Sequence, residues 1–237
     1  DSEADAPVQW EKIERLMTLT DTPLINIHLD PHARHHPDLD PRDTSPQTCR
    51  RLTQRLIADV SAAVERFGPE RIIVENDTGG GKTLDACTLP EVIQAVVEAT
   101  GCGFLLDLSH ARIVARQRGL DEKAYLTQLP THRLRELHLT GIQWLDDAWQ
   151  RKIAASGLVP PHKLPRYRDR WMDHLPFTDA DWDMTTWALA QIRVGAWSMP
   201  WVAACEYGGI GGFFEATLDE TVLRAQIPRL YNAIHNA

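Results

Sequence analysis

Short runs that are apolar on both faces alternate along the chain with amphipathic stretches, and that alternation predicts its elements. Leu24-Ile25-Asn26-Ile27-His28, between Pro23 and Pro31, reads as a buried strand. Thr48 to Phe67 follows with Leu52, Leu56, Ile57, Val60, Ala63, Val64 and Phe67 at helical spacing, and stops at Gly68-Pro69. Ile72-Ile73-Val74-Glu75 and Gly103-Phe104-Leu105-Leu106-Asp107 read as strands on either side of a helix from Leu89 to Ala99. A short helix from Glu122 to Leu129 then precedes a strand from Leu134 to His138. Asp179 to Arg193 reads as a helix, Trp201 to Glu206 as a strand and Leu218 to Ile234 as a closing helix, with one more helix at the start, around Gln9 to Leu19. Residues 145–171, with Pro160-Pro161 and Pro165, show little periodicity and predict a long loop or lid.

Doubly apolar strands alternating with helices specify a parallel sheet covered by helices. The expectation is an α/β fold, a TIM-type (β/α) barrel forming one domain over residues 1–237, with about five strand–helix units visible. Closure needs eight strands, so either the barrel's first strands are absent, or the sheet stays open or is completed by a partner chain or oligomer.

Composition narrows the chemistry. The net charge of −8 disfavours a dedicated nucleic-acid or anionic-membrane binder, which needs a basic surface. Four scattered cysteines without a C-x-x-C pair read as free thiols, and Asp1-Ser2-Glu3-Ala4-Asp5 lacks the basic and apolar regions of a signal peptide, so the cytoplasm is expected.

Every expected strand finishes in a group able to bind a metal: His28, Glu75, Asp107 with His110 one turn later, His138 and Glu206. Asp173-His174 follows the long loop. In a parallel barrel these ends converge on one mouth. Singly, Asp107 and Glu206 are ordinary helix caps or salt bridges, and His28 and His138 ordinary core histidines. Glu75 after three aliphatic residues needs a partner for its buried charge. Together the set favours a metal site for Fe, Mn, Zn or Co. Glu75, Asp107 and His138 are the expected catalytic residues, and Asn76, Ser109 and Trp144 the expected substrate neighbours. Asn76 and Ser109 are also expected to orient the ligands.

Other motifs weigh less. Asp77 to Thr83 has Asn76 where a phosphate loop needs its first glycine, and reads as a rim loop. His32, His35 and His36 lie in a polar Pro/Asp stretch. Most of the eight tryptophans read as packing. The run from Arg166 to Arg170 reads as a solvated face or, more sharply, as a surface for an acidic peptide.

Taken in order, Ile72-Ile73-Val74-Glu75-Asn76, Thr100 to Asp107, Tyr125-Leu126-x-x-Leu129-Pro130, Leu134-x-Glu136-Leu137-His138-Leu139-x-Gly141 and Asp173-His174-x-Pro176 before Trp182 resemble one family. It is the multinuclear non-haem iron-dependent oxidative enzymes (MNIO), xylose-isomerase-like TIM barrels, and the resemblance runs from about Ile25 to the C-terminus. It implies one to three irons (Fe2+/Fe3+) and oxidative modification of ribosomally made peptides, often at cysteine, with dioxygen and a partner recognition protein or domain. It also implies His28, Glu75, Asp107, His138, Asp173, His174 and Glu206 as ligands. Leu108-Ser109-His110 stands where the family has two Asn-like positions, which makes His110 a replacement ligand. Two readings compete: a Mn- or Zn-dependent sugar isomerase or phosphoesterase on the same scaffold, and a non-catalytic barrel-derived partner subunit.

Overall fold

The computed structural model describes residues 8–235. Residues 1–5, on which the signal-peptide expectation rests, lie outside that range. Five strands form one parallel sheet: β1 (Ile25–His28), β2 (Ile72–Glu75), β3 (Gly103–Asp107), β4 (Leu134–Leu139) and β7 (Val202–Cys205), in the order β1-β2-β3-β4-β7. This is an α/β fold consistent with a TIM-like barrel. Among the described residues no strand joins β1 to β7, so both remain sheet edges.

The connecting helices obey their sequence signals. Ser45 caps α2 (Pro46–Phe67) by accepting from the Thr48 amide, Pro46 occupies its first turn, and Gly68 ends it. Its buried side chains include Leu52, Leu56, Val60 and Ala63, the stripe facing the sheet and α3 (Pro90–Thr100). In α7 (Asp179–Arg193), Thr178 and Asp181 form a reciprocal capping box. The helix α1 spans Trp10–Thr20, the expected closing helix is α9 (Glu220–His235), and a short helix outside the expectation, α8 (Gly212–Thr217), precedes it. No helix among the described residues is long and apolar enough to cross a membrane.

Two regions differ from the expectation. Helix α4 (Leu108–Gln117) starts directly at the end of β3, where no element was expected. It is buried almost all round, and its Arg112, bonded to Glu122 and Asp181, blurs the apolar stripe that periodicity relies on. Farther along, residues 145–171 are not structureless. Strands β5 (Gly141–Trp144) and β6 (Trp171–Leu175) pair antiparallel around this segment, and α6 (Asp147–Ala155) lies within it. Ile153, Val159, Leu175 and Phe213 form a small separate apolar cluster with Leu145, too few residues to show a clear period. At Gly141 any Cβ would collide with the Pro176 carbonyl, so the chain passes β6 only because this residue has no side chain. The segment from Glu122 shortens to α5 (Glu122–Leu126).

Candidate metal centre

Parallel register sets the candidate ligands side by side. His28 lies opposite Glu75, and Asp107 opposite His138. Glu206 follows β7 directly, its amide donating to the Leu139 carbonyl. Asp107 also caps α4, its Oδ1 accepting from the Ser109 and His110 amides at 2.7 and 2.9 Å. That cap turns His110 back over the strand ends. One oxygen of Asp107 thus caps α4, and the other is free of that role.

Two triads are spaced for a cation: Glu75, Asp107 and His110, and Asp107, His138 and Glu206, with the ligand atoms of each within 4.8 Å of one another. Asp107 belongs to both. Its Oδ2 is buried with no hydrogen-bond partner, and so is His138 Nδ1, although Glu206 Oε1 lies 3.1 Å from that nitrogen. A buried carboxylate oxygen without a hydrogen bond, beside a buried imidazole nitrogen crowded by carboxylates, is an arrangement a cation satisfies. The donor set fits a metal.

The surrounding side chains orient these groups. Glu136 Oε1 lies 3.0 Å from His138 Nε2, which turns Nδ1 towards the cluster. His110 Nδ1 lies 2.9 Å from the Asn76 carbonyl oxygen, leaving Nε2 facing Asp173 Oδ2 at 2.9 Å and Asp107 Oδ2 at 3.4 Å. Asn76 pairs reciprocally with the backbone of Asp107: its Nδ2 donates to the carbonyl and its Oδ1 accepts from the amide, both at 3.0 Å. Ser109 is buried with its Oγ unpaired.

The remaining expected ligands flank this centre. His28, half exposed, lies with Nε2 2.9 Å from Glu75 Oε2, the oxygen that Asn26 also bonds. His174 adopts a left-handed backbone (φ 56°), with its Nδ1 2.6 Å from the Glu206 carbonyl oxygen and Nε2 3.8 Å from Asp173 Oδ2. Trp144 is not in the cluster. It lines a surface cavity with Arg116, Trp149 and Trp171 that contains none of the expected ligands. Both amide ends of Asn76 are bonded to the backbone of Asp107 and position that residue.

Electrostatics reflect the crowding. Burial opposes charge on both imidazoles, yet Glu206, Glu75 and Glu136 push His138 up to about 11, and Asp107 and Asp173 raise His110 well above its ordinary value. Burial would raise Glu75, but His138, His28 and Asn26 hold it well below the carboxylate range. Asp107 goes the other way: full burial raises it, with Asp173 and Glu206 adding to that and His110 opposing.

Asn26 and Glu136 are partners that strand-end reasoning passed over. Each sits two residues before a candidate ligand on the same strand, hence on the same face, and period-two alternation is the signal that finds them.

Residues 5–158 match the family model of the RiPP precursor modification enzyme MbnB/TglH/ChrH. The chain belongs to that family. UPF0276 proteins are related members of it. The one from Caulobacter vibrioides is 29% identical over 142 residues, 57% of this chain and 48% of the relative. That from Bordetella pertussis is 33% identical over 95 residues, covering 40% and 28%. A third, from Paraburkholderia phytofirmans, reaches 47% over 51 residues, covering 22% and 17%. The chain thus spans about half the length of the curated relatives it matches. The family match takes in His28, Glu75, Asp107, His110 and His138 and stops before Asp173, His174 and Glu206, whose place in the centre rests on geometry alone.

Proposed function

We propose that this chain forms the metal-holding part of an iron-dependent oxidative enzyme that modifies a ribosomally made peptide at cysteine, using dioxygen. One observation carries the reading: Asp107, common to both triads, keeps a buried oxygen that accepts no hydrogen bond. Glu75, Asp107, His110, His138 and Glu206 would hold the metal, with His28, Asp173 and His174 beside them. Mixed imidazole and carboxylate ligation suits iron, which would supply redox chemistry and an open position for a substrate thiolate. Family membership supports a peptide substrate.

The residues themselves bind and orient. Glu136 and the Asn76 carbonyl each engage one nitrogen of His138 and His110, so the other nitrogen is presented to the centre. Asn76 fixes the backbone at Asp107. The hairpin segment 145–171, joined to Asp173 and His174 through β6, would cover the bound peptide and limit water.

The test is elemental analysis of anaerobically prepared protein, wild type beside Glu75→Gln and His138→Ala. Near-stoichiometric iron in the wild type, its loss in both variants and oxygen uptake with a cysteine-containing precursor peptide are expected. No bound transition metal would overturn the reading. Preference for Mn or Zn without oxygen uptake would transfer the centre to the non-redox alternative.

A further inference from the structure

The hairpin segment carries a charge opposite to that of the rest of the molecule. Between residues 145 and 171 stand Arg151, Lys152, Lys163, Arg166, Arg168 and Arg170 against Asp146, Asp147 and Asp169, a net +3 in a chain whose total is −8. All six cations are exposed. Arg168 is paired with Asp147 at 2.8 Å, and Lys152 lies over the Trp149 ring. Arg151, Lys163, Arg166 and Arg170 form no ion pair among the described residues. A cationic face left unneutralised on an acidic protein attracts an anionic ligand locally, while the rest of the surface repels long polyanions.

Its position matters as much as its sign. The Arg170 carbonyl accepts from the Leu145 amide at 2.8 Å, which prolongs the β5–β6 ladder. Asp173 comes three residues later on β6, so Arg170 and the metal centre are separated by about 10 Å at the usual strand rise. Beside this path lie Trp144 and Trp171, packed edge to face, with the Arg116 guanidinium 4.1 Å from the Trp171 ring centroid. An aromatic wall next to free cations suits an extended peptide with acidic side chains.

We propose that this face docks an acidic stretch of the peptide substrate, lying within about three to six residues of the position modified, the length of extended chain that spans such a distance. The proposal rests on the peptide-modifying reading above and adds which peptides are taken.

Fluorescence anisotropy tests it on the whole chain without metal, so neither iron content nor turnover enters the result. The probes are a dye-labelled peptide with a glutamate run beside a cysteine, its glutamine counterpart and a labelled oligo-dT strand. The glutamate peptide is expected to bind at least about tenfold more tightly than the glutamine one. That advantage should shrink as salt rises and vanish in Lys163→Glu/Arg166→Glu/Arg170→Glu, but persist in the distant surface variant Lys12→Glu/Arg15→Glu. Equal binding of the two peptides, an unaffected triple variant or tighter binding of oligo-dT would each overturn the proposal. Failure of metal binding in the separate elemental analysis would instead strike the oxidative reading and leave a measured glutamate preference standing.

Discussion

Asp107 and His138 face each other across the β3–β4 register, and each keeps one buried polar atom, Oδ2 and Nδ1, without a hydrogen-bond partner. Neighbouring carboxylates crowd both: Asp173 and Glu206 act on Asp107, and Glu206 and Glu75 on His138. Such a pair is costly in an empty pocket and favourable around a cation.

Asp107→Asn separates the two jobs of this side chain. Asparagine caps a helix as well as aspartate does, so α4 should keep its start and the melting temperature of the metal-free protein should move little. Metal affinity should drop by at least about 100-fold, because the unpaired anionic oxygen is replaced by a neutral group. Metal titration beside a thermal melt checks both halves.

Glu136→Gln leaves every proposed ligand in place and removes the carboxylate that orients His138. Affinity for the metal is expected to fall by about 10- to 100-fold with secondary structure intact. An unchanged affinity would mean that packing alone holds the imidazole.

Asn76→Leu deletes two buried bonds to the backbone of Asp107 and leaves an amide and a carbonyl unsatisfied. A loss of about 2–5 kcal/mol in chemical denaturation is expected, since each orphaned group costs about 1–3 kcal/mol. Metal binding should weaken along with it.

Gly141→Ala drives a methyl group into the Pro176 carbonyl and must displace β6. Because β6 carries Asp173 and His174, the variant should lose metal affinity as well as stability, although residue 141 is no ligand. Crystallography of the variant would show whether the hairpin has shifted.

Arg112 is buried with Asp181 and bonded to Glu122, so Arg112→Met should cost about 3–5 kcal/mol by stranding a buried carboxylate. Burial raises the Glu122 carboxyl, but Arg112 and Arg116 outweigh it and hold it below its ordinary value. A depressed carboxylate contributes its stability above the unfolded value and loses it as pH falls through the folded one. The stability gap between wild type and Glu122→Gln should therefore be full near pH 6 and narrow as pH drops below about 4. Denaturant midpoints across that range measure it.

Period and punctuation in the chain were enough to specify the parallel strands and most of the covering helices. Strands β2 and β3 are buried along their whole length, and Ser45, Thr178, Gly68 and Gly101 mark helix ends with local chemistry. The same logic brought His28, Glu75, Asp107, His138 and Glu206 to one end of the sheet, because parallel strands all finish on the same side. Tertiary structure alone decided the rest. Helix α4 and the β5–β6 hairpin are held by Arg112, Asp181 and the close approach at Gly141, contacts between residues far apart in sequence that no local period encodes. Likewise, spacing along the chain placed Asp107 at a strand end, but only the folded register left one of its oxygens on the α4 cap and the other, unpaired, among His110, His138 and Glu206.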